Sequence, residues 1–257
     1  MMVVLAVSGV AIAGLTEISW LSFDWISKFS TKIDVNVAAK RALERVGSDL
    51  RVATAIGDSF DSPADATPSF PCANNPIYGG GLPAGAASVY QIDDNTLILQ
   101  VPIFNHKGWP TSMPSSVDSR QRRNLDTIVY EVAQDPDPTE AALGKYILKR
   151  SVFAGIHDDR IPNVNAGTTI CPGQTVLTGI VGPLDKTSGK PRIFQALDQL
   201  DPGGSPVPLS LVRTFSLPRI NAIVMNVEIS KSQGASKNTS IASYRSEIFM
   251  RNRHYVE

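Results

Sequence analysis

The sequence predicts an α+β fold in which one long N-terminal helix packs on an antiparallel β-sheet. Three observations predict it. No proline occurs before Pro63, and the earlier glycines are only Gly9, Gly14, Gly47 and Gly57, so nothing breaks a helix running from near Met1 to about Ala55. Beyond that point short alternating runs are separated by Gly, Pro, Ser, Asp and Asn, the signature of strands joined by turns. No strand candidate is followed by a helical stretch of about ten residues or more, which argues against a parallel α/β arrangement. The chain therefore divides into a helix, residues 1–55, and a β domain, residues 56–257.

The helix changes character along its length. Residues 1–16 carry no charge, and Val3, Val4, Leu5, Val7, Val10, Ile12 and Leu15 supply an apolar surface for a membrane. The run ends at Glu17, somewhat short of the roughly 20 residues a bilayer core asks for. It does not read as a secretory signal, because the first basic residue is Lys28. Trp20, Phe23, Trp25 and Phe29 follow, residue types suited to a membrane–water boundary. Glu17 and Asp24 then fall at headgroup level, with Asp24 four residues before Lys28 in the favourable order for an ion pair. Further on, Val35, Ala39, Leu43, Val46, Leu50 and Ala53 recur at three- and four-residue steps. Leu43, Val46 and Leu50 are expected to pack on the sheet, with Lys40, Arg41, Glu44, Arg45, Asp49 and Arg51 on the other faces.

In the β domain the strand candidates are 88–92, 96–104, 127–134, 145–153, 175–181, 192–196, 209–215, 220–230 and 241–250. The last two read as a hairpin around a polar loop, 231–240. Asp93-Asp94-Asn95 reads as the turn of a shorter hairpin. Two long loops interrupt the pattern. Residues 57–87 hold five prolines and Gly79-Gly80-Gly81, and residues 105–124 hold Trp109-Pro110 with Arg120, Arg122 and Arg123. Loops of this length are either mobile surface insertions or contact surfaces.

Basic and acidic groups balance at 24 each, and the pI is near 6.8, so nothing favours nucleic acid as a partner. Catalytic residues are scarce, and the sequence reads as a non-enzyme without a cofactor. His106, His157 and His254 are the only histidines, and no Gly-x-Ser-x-Gly elbow is present. No metal site is expected. The nearest approach to one is Asp135, Asp137 and Glu140, oxygen ligands that calcium accepts, but without the glycine and spacing of an EF-hand loop. Cys72 and Cys171 are the only cysteines. An even count in an extracytoplasmic domain favours a bridge, which would close a loop of about 100 residues and contribute about 4.7 kcal/mol. Two separate thiols are the alternative.

Three blocks carry a family resemblance. Met2-Val3-Val4-Leu5-Ala6-Val7-Ser8-Gly9-Val10-Ala11-Ile12-Ala13 resembles the N-terminal helix of type IV pilins and type II secretion pseudopilins. Residues 39–53, with Asp49-Leu50-Arg51-Val52-Ala53, resemble the end of the long helix in J-type minor pseudopilins and W-type minor pilins. Tyr244-Arg245-Ser246-Glu247-Ile248-Phe249-Met250-Arg251-Asn252-Arg253 is similar to their final strand. The family's basic leader and its Phe-Thr-Leu-Ile-Glu start are absent, as if Met1 stood just after that Glu. The resemblance implies a pilin-like fold and a single-pass protein of the bacterial inner membrane. It implies an extracytoplasmic domain, processing of a full-length precursor by prepilin peptidase, and assembly with other pilins or pseudopilins through helix packing at a filament tip. The alternative on the residues alone is a membrane-anchored binding module, an adhesin or polysaccharide-binding β domain.

Overall fold

The computed structural model describes residues 2–57, 59–61, 89–102, 125–153, 169–198, 204–212, 220–233 and 236–250, with the side chains of 2–11 and of Cys171 among those left outside. Its first element is α1, Met2–Val52, one uninterrupted helix. From its upper third, Val35, Ala39, Ala42, Val46 and Leu50, with Ala53 just beyond its end, are buried, spaced by three or four so that they form one stripe. The centre of that stripe is Ala42 rather than Leu43, which is only partly buried at its edge. Three alanines and Gly47 bring the helix backbone close to the sheet; a Cβ at Gly47 would lie 3.8 Å from Ile248 Cδ1.

Directly after α1 the chain enters the sheet. Thr54 N donates to the Gln100 carbonyl at 2.9 Å, and β1 (Ala55–Ile56) pairs with β4 (Thr96–Pro102). Between them in sequence, β2 (Ser59–Asp61) and β3 (Val89–Gln91) form a two-stranded sheet of their own. The large sheet continues through β5 (Leu125–Gln134), β6 (Tyr146–Phe153) and β7 (Thr169–Gly182), each antiparallel to the last. A short helix, α2 (Pro138–Ala142), joins β5 to β6.

The last strands complete the large sheet: β8 (Phe194–Asp198), β9 (Val207–Pro208), β10 (Ile220–Gln233) and β11 (Ser236–Phe249). β10 organises this end. One of its edges pairs along its length with β11, while the other takes β8 over its first half and the end of β7 further on. Nine described strands thus make one antiparallel sheet, and α1 lies across β4, β7, β10 and β11.

Alternation decides which side chains meet the helix. Leu97, Leu99 and Val101 on β4 and Ile128, Tyr130 and Val132 on β5 join the stripe of α1 in one core. The opposite face holds smaller clusters, Ile98 with Val129 and Phe153, and Leu197 with Ala222 and Val224. Strand β4 is therefore buried on both faces, and its sequence, Thr-Leu-Ile-Leu-Gln-Val-Pro, accordingly does not alternate.

The α+β expectation holds, and several local expectations need correction. Asp93-Asp94-Asn95 does turn the chain, with Asp93 and Thr96 exchanging backbone bonds of 3.1 and 3.3 Å, but it joins β3 and β4 of different sheets rather than a hairpin. The Asp94 carboxylate is tied to Arg192 and Ser210, so the turn is anchored by distant segments. The polar stretch 231–240 is mostly strand, since β10 and β11 run on to Gln233 and from Ser236. Hydrophilic residues can continue a ladder, because backbone bonds do not depend on side-chain polarity. Leu209–Leu211, expected in a strand, form a 3-10 turn, with Leu209 buried beneath it. The stretch 135–140 leads into α2, capped by Asp137, whose side chain accepts from Thr139 N at 2.8 Å, with Pro138 at the first turn.

Candidate functional site

Apart from the core, the chain's most unusual surface is the lower half of α1. From Ile12 to Asp34 no side chain is buried, and Ile18, Trp20, Phe23, Trp25 and Phe29 are all exposed, Trp20 to 73%. At 1.5 Å per residue this uncovered rod is roughly 35 Å long. Its side chains bond and stack locally along the helix. Hydroxyl side chains bond back to the preceding turn, Ser19 Oγ donating to the Leu15 carbonyl and Ser22 Oγ to that of Ile18, both at 2.8 Å. Lys28 Nζ meets Asp24 at 2.5 Å one turn away, and Trp25 stacks on Phe29 with ring centroids 5.4 Å apart.

Residues held apart in sequence join this rod to the domain. Asp49, near the end of α1, accepts from Tyr130 Oη and from Arg150 Nε through the same Oδ2, each at 2.6 Å. Tyr130 and Arg150 are direct cross-strand partners on β5 and β6, so the register of the sheet delivers both donors to one point under the helix. Burial pushes the Tyr130 hydroxyl far above its ordinary value, with the Asp49 charge pushing the same way, and keeps it a donor. Desolvation acts to lower the Arg150 pKa, yet the hydrogen bond and charge of Asp49 outweigh it and leave the guanidinium more firmly protonated than usual. The sequence pattern places Asp49 off the sheet-facing stripe of the helix. The carboxylate instead lies against the sheet, and a lone Asp beside a buried Leu gives no sign in sequence of two donors arriving from residues 130 and 150.

Further down, the β10–β11 hairpin grips α1 at the lower end of its upper third. Tyr244 Oη donates to Asn36 Oδ1, and Lys231 Nζ lies 3.1 Å from Asp34. Asp34 and Asn36 flank Val35, the first buried residue of the stripe. The domain therefore takes hold of the helix at that level, and from Ile12 to Asp34 the described residues bury none of its side chains.

The residues proposed for other chemistry are placed as follows. Asp137 is occupied as the cap of α2, Asp135 accepts from the Asp137 backbone at 3.0 Å, and Glu140 is paired with Lys145. Among the described residues no group of three or more His, Cys, Asp or Glu is placed to hold a metal ion. Cys72, His106, His157 and His254 lie outside the described residues, as does the Cys171 side chain. Val46 and Leu50 are fully buried between helix and sheet, with Leu43 at the margin. Ile12 and Leu15 are exposed at 62% and 65%, while the side chains of Val3, Val4, Leu5, Val7 and Val10 lie outside the described set. Among the described residues no helix is long and apolar enough to cross a membrane.

In comparisons with known proteins, no family model, no curated protein and no solved structure matches the chain.

Proposed function

We propose that this protein is a structural subunit of the minor pilin or pseudopilin kind, held in a bacterial inner membrane by the start of α1 and assembled with sister subunits through that helix. The observation that carries the reading is the division of labour along α1: its upper third is buried by its own sheet, while residues 12–34 present large apolar side chains that nothing in the described chain covers. Exposed apolar surface on this scale marks a site of contact with a protein or a membrane. The resemblance to the pilin family supports it: the first block opens α1, the second covers its buried end, and residues 244–249 of the third belong to β11. No step of catalysis enters the proposal.

Processing and assembly test it together. Expression of the gene with its upstream region, followed by mass spectrometry of the membrane-bound protein, should give a methylated N-terminus freed from a basic leader. Deletion should abolish a secretion or piliation phenotype. A protein recovered without processing, whose deletion alters only adhesion or carbohydrate binding, would replace this reading by the membrane-anchored binding module.

A further inference from the structure

The β10–β11 hairpin does not end where it takes hold of α1. Tyr244 meets Asn36, and Ile248 lies against Gly47. Passing from Ile248 to Tyr244 along β11 therefore leads from Gly47 to Asn36 along α1, towards its N-terminus. The helix rises about 16 Å over that interval and the strand about 13 Å, so the two run side by side. Past Tyr244 the ladder continues in the same direction, with Lys231 opposite Ser240, Ser232 opposite Thr239 and Gln233 opposite Ser236. Lys231 Nζ reaches Asp34 at 3.1 Å, and the tip lies about 10 Å beyond that rung. On α1 the same distance spans about seven residues, which sets the tip level with the Trp25–Phe29 pair.

Two features meet at this level. The first is on α1. At about 100° per residue Trp20 and Phe23 point to one side and Trp25 and Phe29 nearly to the other, all more than half exposed. A headgroup layer surrounds a helix and suits aromatic side chains on all of its sides. The second is the charge of the hairpin. Between Glu228 and Glu247 the sequence holds Lys231, Lys237 and Arg245 and no acidic residue, although the chain carries 24 groups of each sign. Asp34 stands at the base of the tip, and its pair with Lys231 is open to water, the side chains 59% and 51% exposed. Such a pair is weak, so the ammonium can exchange one anion for another. We infer that the hairpin tip, residues 231–240, rests on the headgroup layer of the bilayer that α1 enters, and binds the phosphates of anionic phospholipids through Lys231 and Lys237.

The inference rests on the proposed membrane role of α1 and adds a second foothold to it. A single helix leaves the domain free to turn about the helix axis. A contact set to one side of that axis fixes the direction in which the sheet faces. Each lysine near an anionic surface favours contact about fivefold. Two lysines do not hold a domain on a membrane by themselves, so the hairpin orients what α1 anchors.

The test uses the full chain in vesicles of phosphatidylethanolamine and phosphatidylglycerol, with a nitroxide on a fraction of the headgroups and the fluorescent amino acid acridonylalanine at position 25, 233 or 249. Quenching is expected at 25 and 233, and only weakly at 249, an exposed position at the far end of β11. Lys231→Gln with Lys237→Gln should lower the ratio of surface-held to free hairpin about 25-fold, read as loss of quenching at 233 with that at 25 unchanged. Phosphatidylcholine in place of phosphatidylglycerol should have the same effect. Arginine at both positions keeps the charge and should keep the quenching, which separates loss of charge from loss of fold. Quenching at 25 with none at 233 would overturn the hairpin contact and leave α1 in the bilayer. Quenching at neither would overturn the contact together with the membrane role. Quenching at 233 that survives both the glutamine variant and the neutral lipid would overturn the recognition of phosphate.

Discussion

At the scale of single residues, the contact that most directly fixes helix to sheet is Asp49 with Tyr130 and Arg150. Both the Asp49 and Arg150 side chains are largely withdrawn from water, at 14% and 9% exposure. Removing the carboxylate leaves a guanidinium buried without its counter-charge. Asp49→Ala is therefore expected to destabilise the domain by about 3–5 kcal/mol in urea unfolding. Tyr130→Phe keeps the ring and loses one charge-assisted bond, about 1.5 kcal/mol, and in the Asp49→Ala background its effect should fall towards zero.

Glu131, the next residue on β5, makes a prediction in pH. Burial raises its carboxyl above the ordinary 4.5 and Asp93 adds to this, with Lys149 and Lys190 opposing. The folded state then holds the proton more tightly than the unfolded one. Its contribution is fully present below 4.5 and is lost as pH rises through the raised value. Glu131→Gln should accordingly raise the urea midpoint at neutral pH and flatten the decline that begins in the ordinary carboxylate range. An unchanged slope in the variant would show that other groups set it.

At the scale of elements, legibility followed how local the determinants are. The extent of α1 rests on the absence of breakers over its own length, and the structure ends it at Val52, three residues before the expected limit. Strands β4, β5 and β6 lie close to their expected positions because each is a run of apolar or alternating residues bounded by turns. Pairing was less legible. β3 joins β2 rather than β4, and β10 divides one edge between β7 and β8, arrangements fixed by partners 22 to 49 positions away in sequence. The Asp49 contact failed to show in sequence for the same reason, since Tyr130 and Arg150 become neighbours only through the β5–β6 register.

Glycines separate local from distant demands within an element. Gly144, after α2, and Gly179, in β7, both have positive φ, +69° and +73°. A Cβ at Gly144 meets nothing within 4 Å, whereas one at Gly179 would come within 2.6 Å of the Ser230 carbonyl oxygen where β7 meets β10. Gly144→Ala is expected to cost about 1 kcal/mol from backbone conformation alone. Gly179→Ala should cost clearly more, because the β7–β10 contact must also open. Equal midpoints for the two variants in urea would mean that β7 yields there without loss.

At the scale of the whole molecule, stability and the surface proposed for assembly occupy different stretches of the same helix. The core takes nothing from residues 12–34, since among the described residues the first buried side chain of α1 is Val35 and the hairpin contacts begin at Asp34. Folding and docking can then be separated by truncation. A chain that begins at Thr31 keeps Val35, Asp34, Asn36 and Asp49 and should unfold cooperatively with the midpoint of the full chain, to within about 0.5 kcal/mol. The same truncation should abolish vesicle association, because it removes the exposed apolar side chains from Ile12 to Phe29. A truncated domain that loses more than about 1 kcal/mol would show that the lower helix contributes to the fold through contacts with its own chain. Its apolar side would then have an internal partner, and assembly would no longer be needed to account for it.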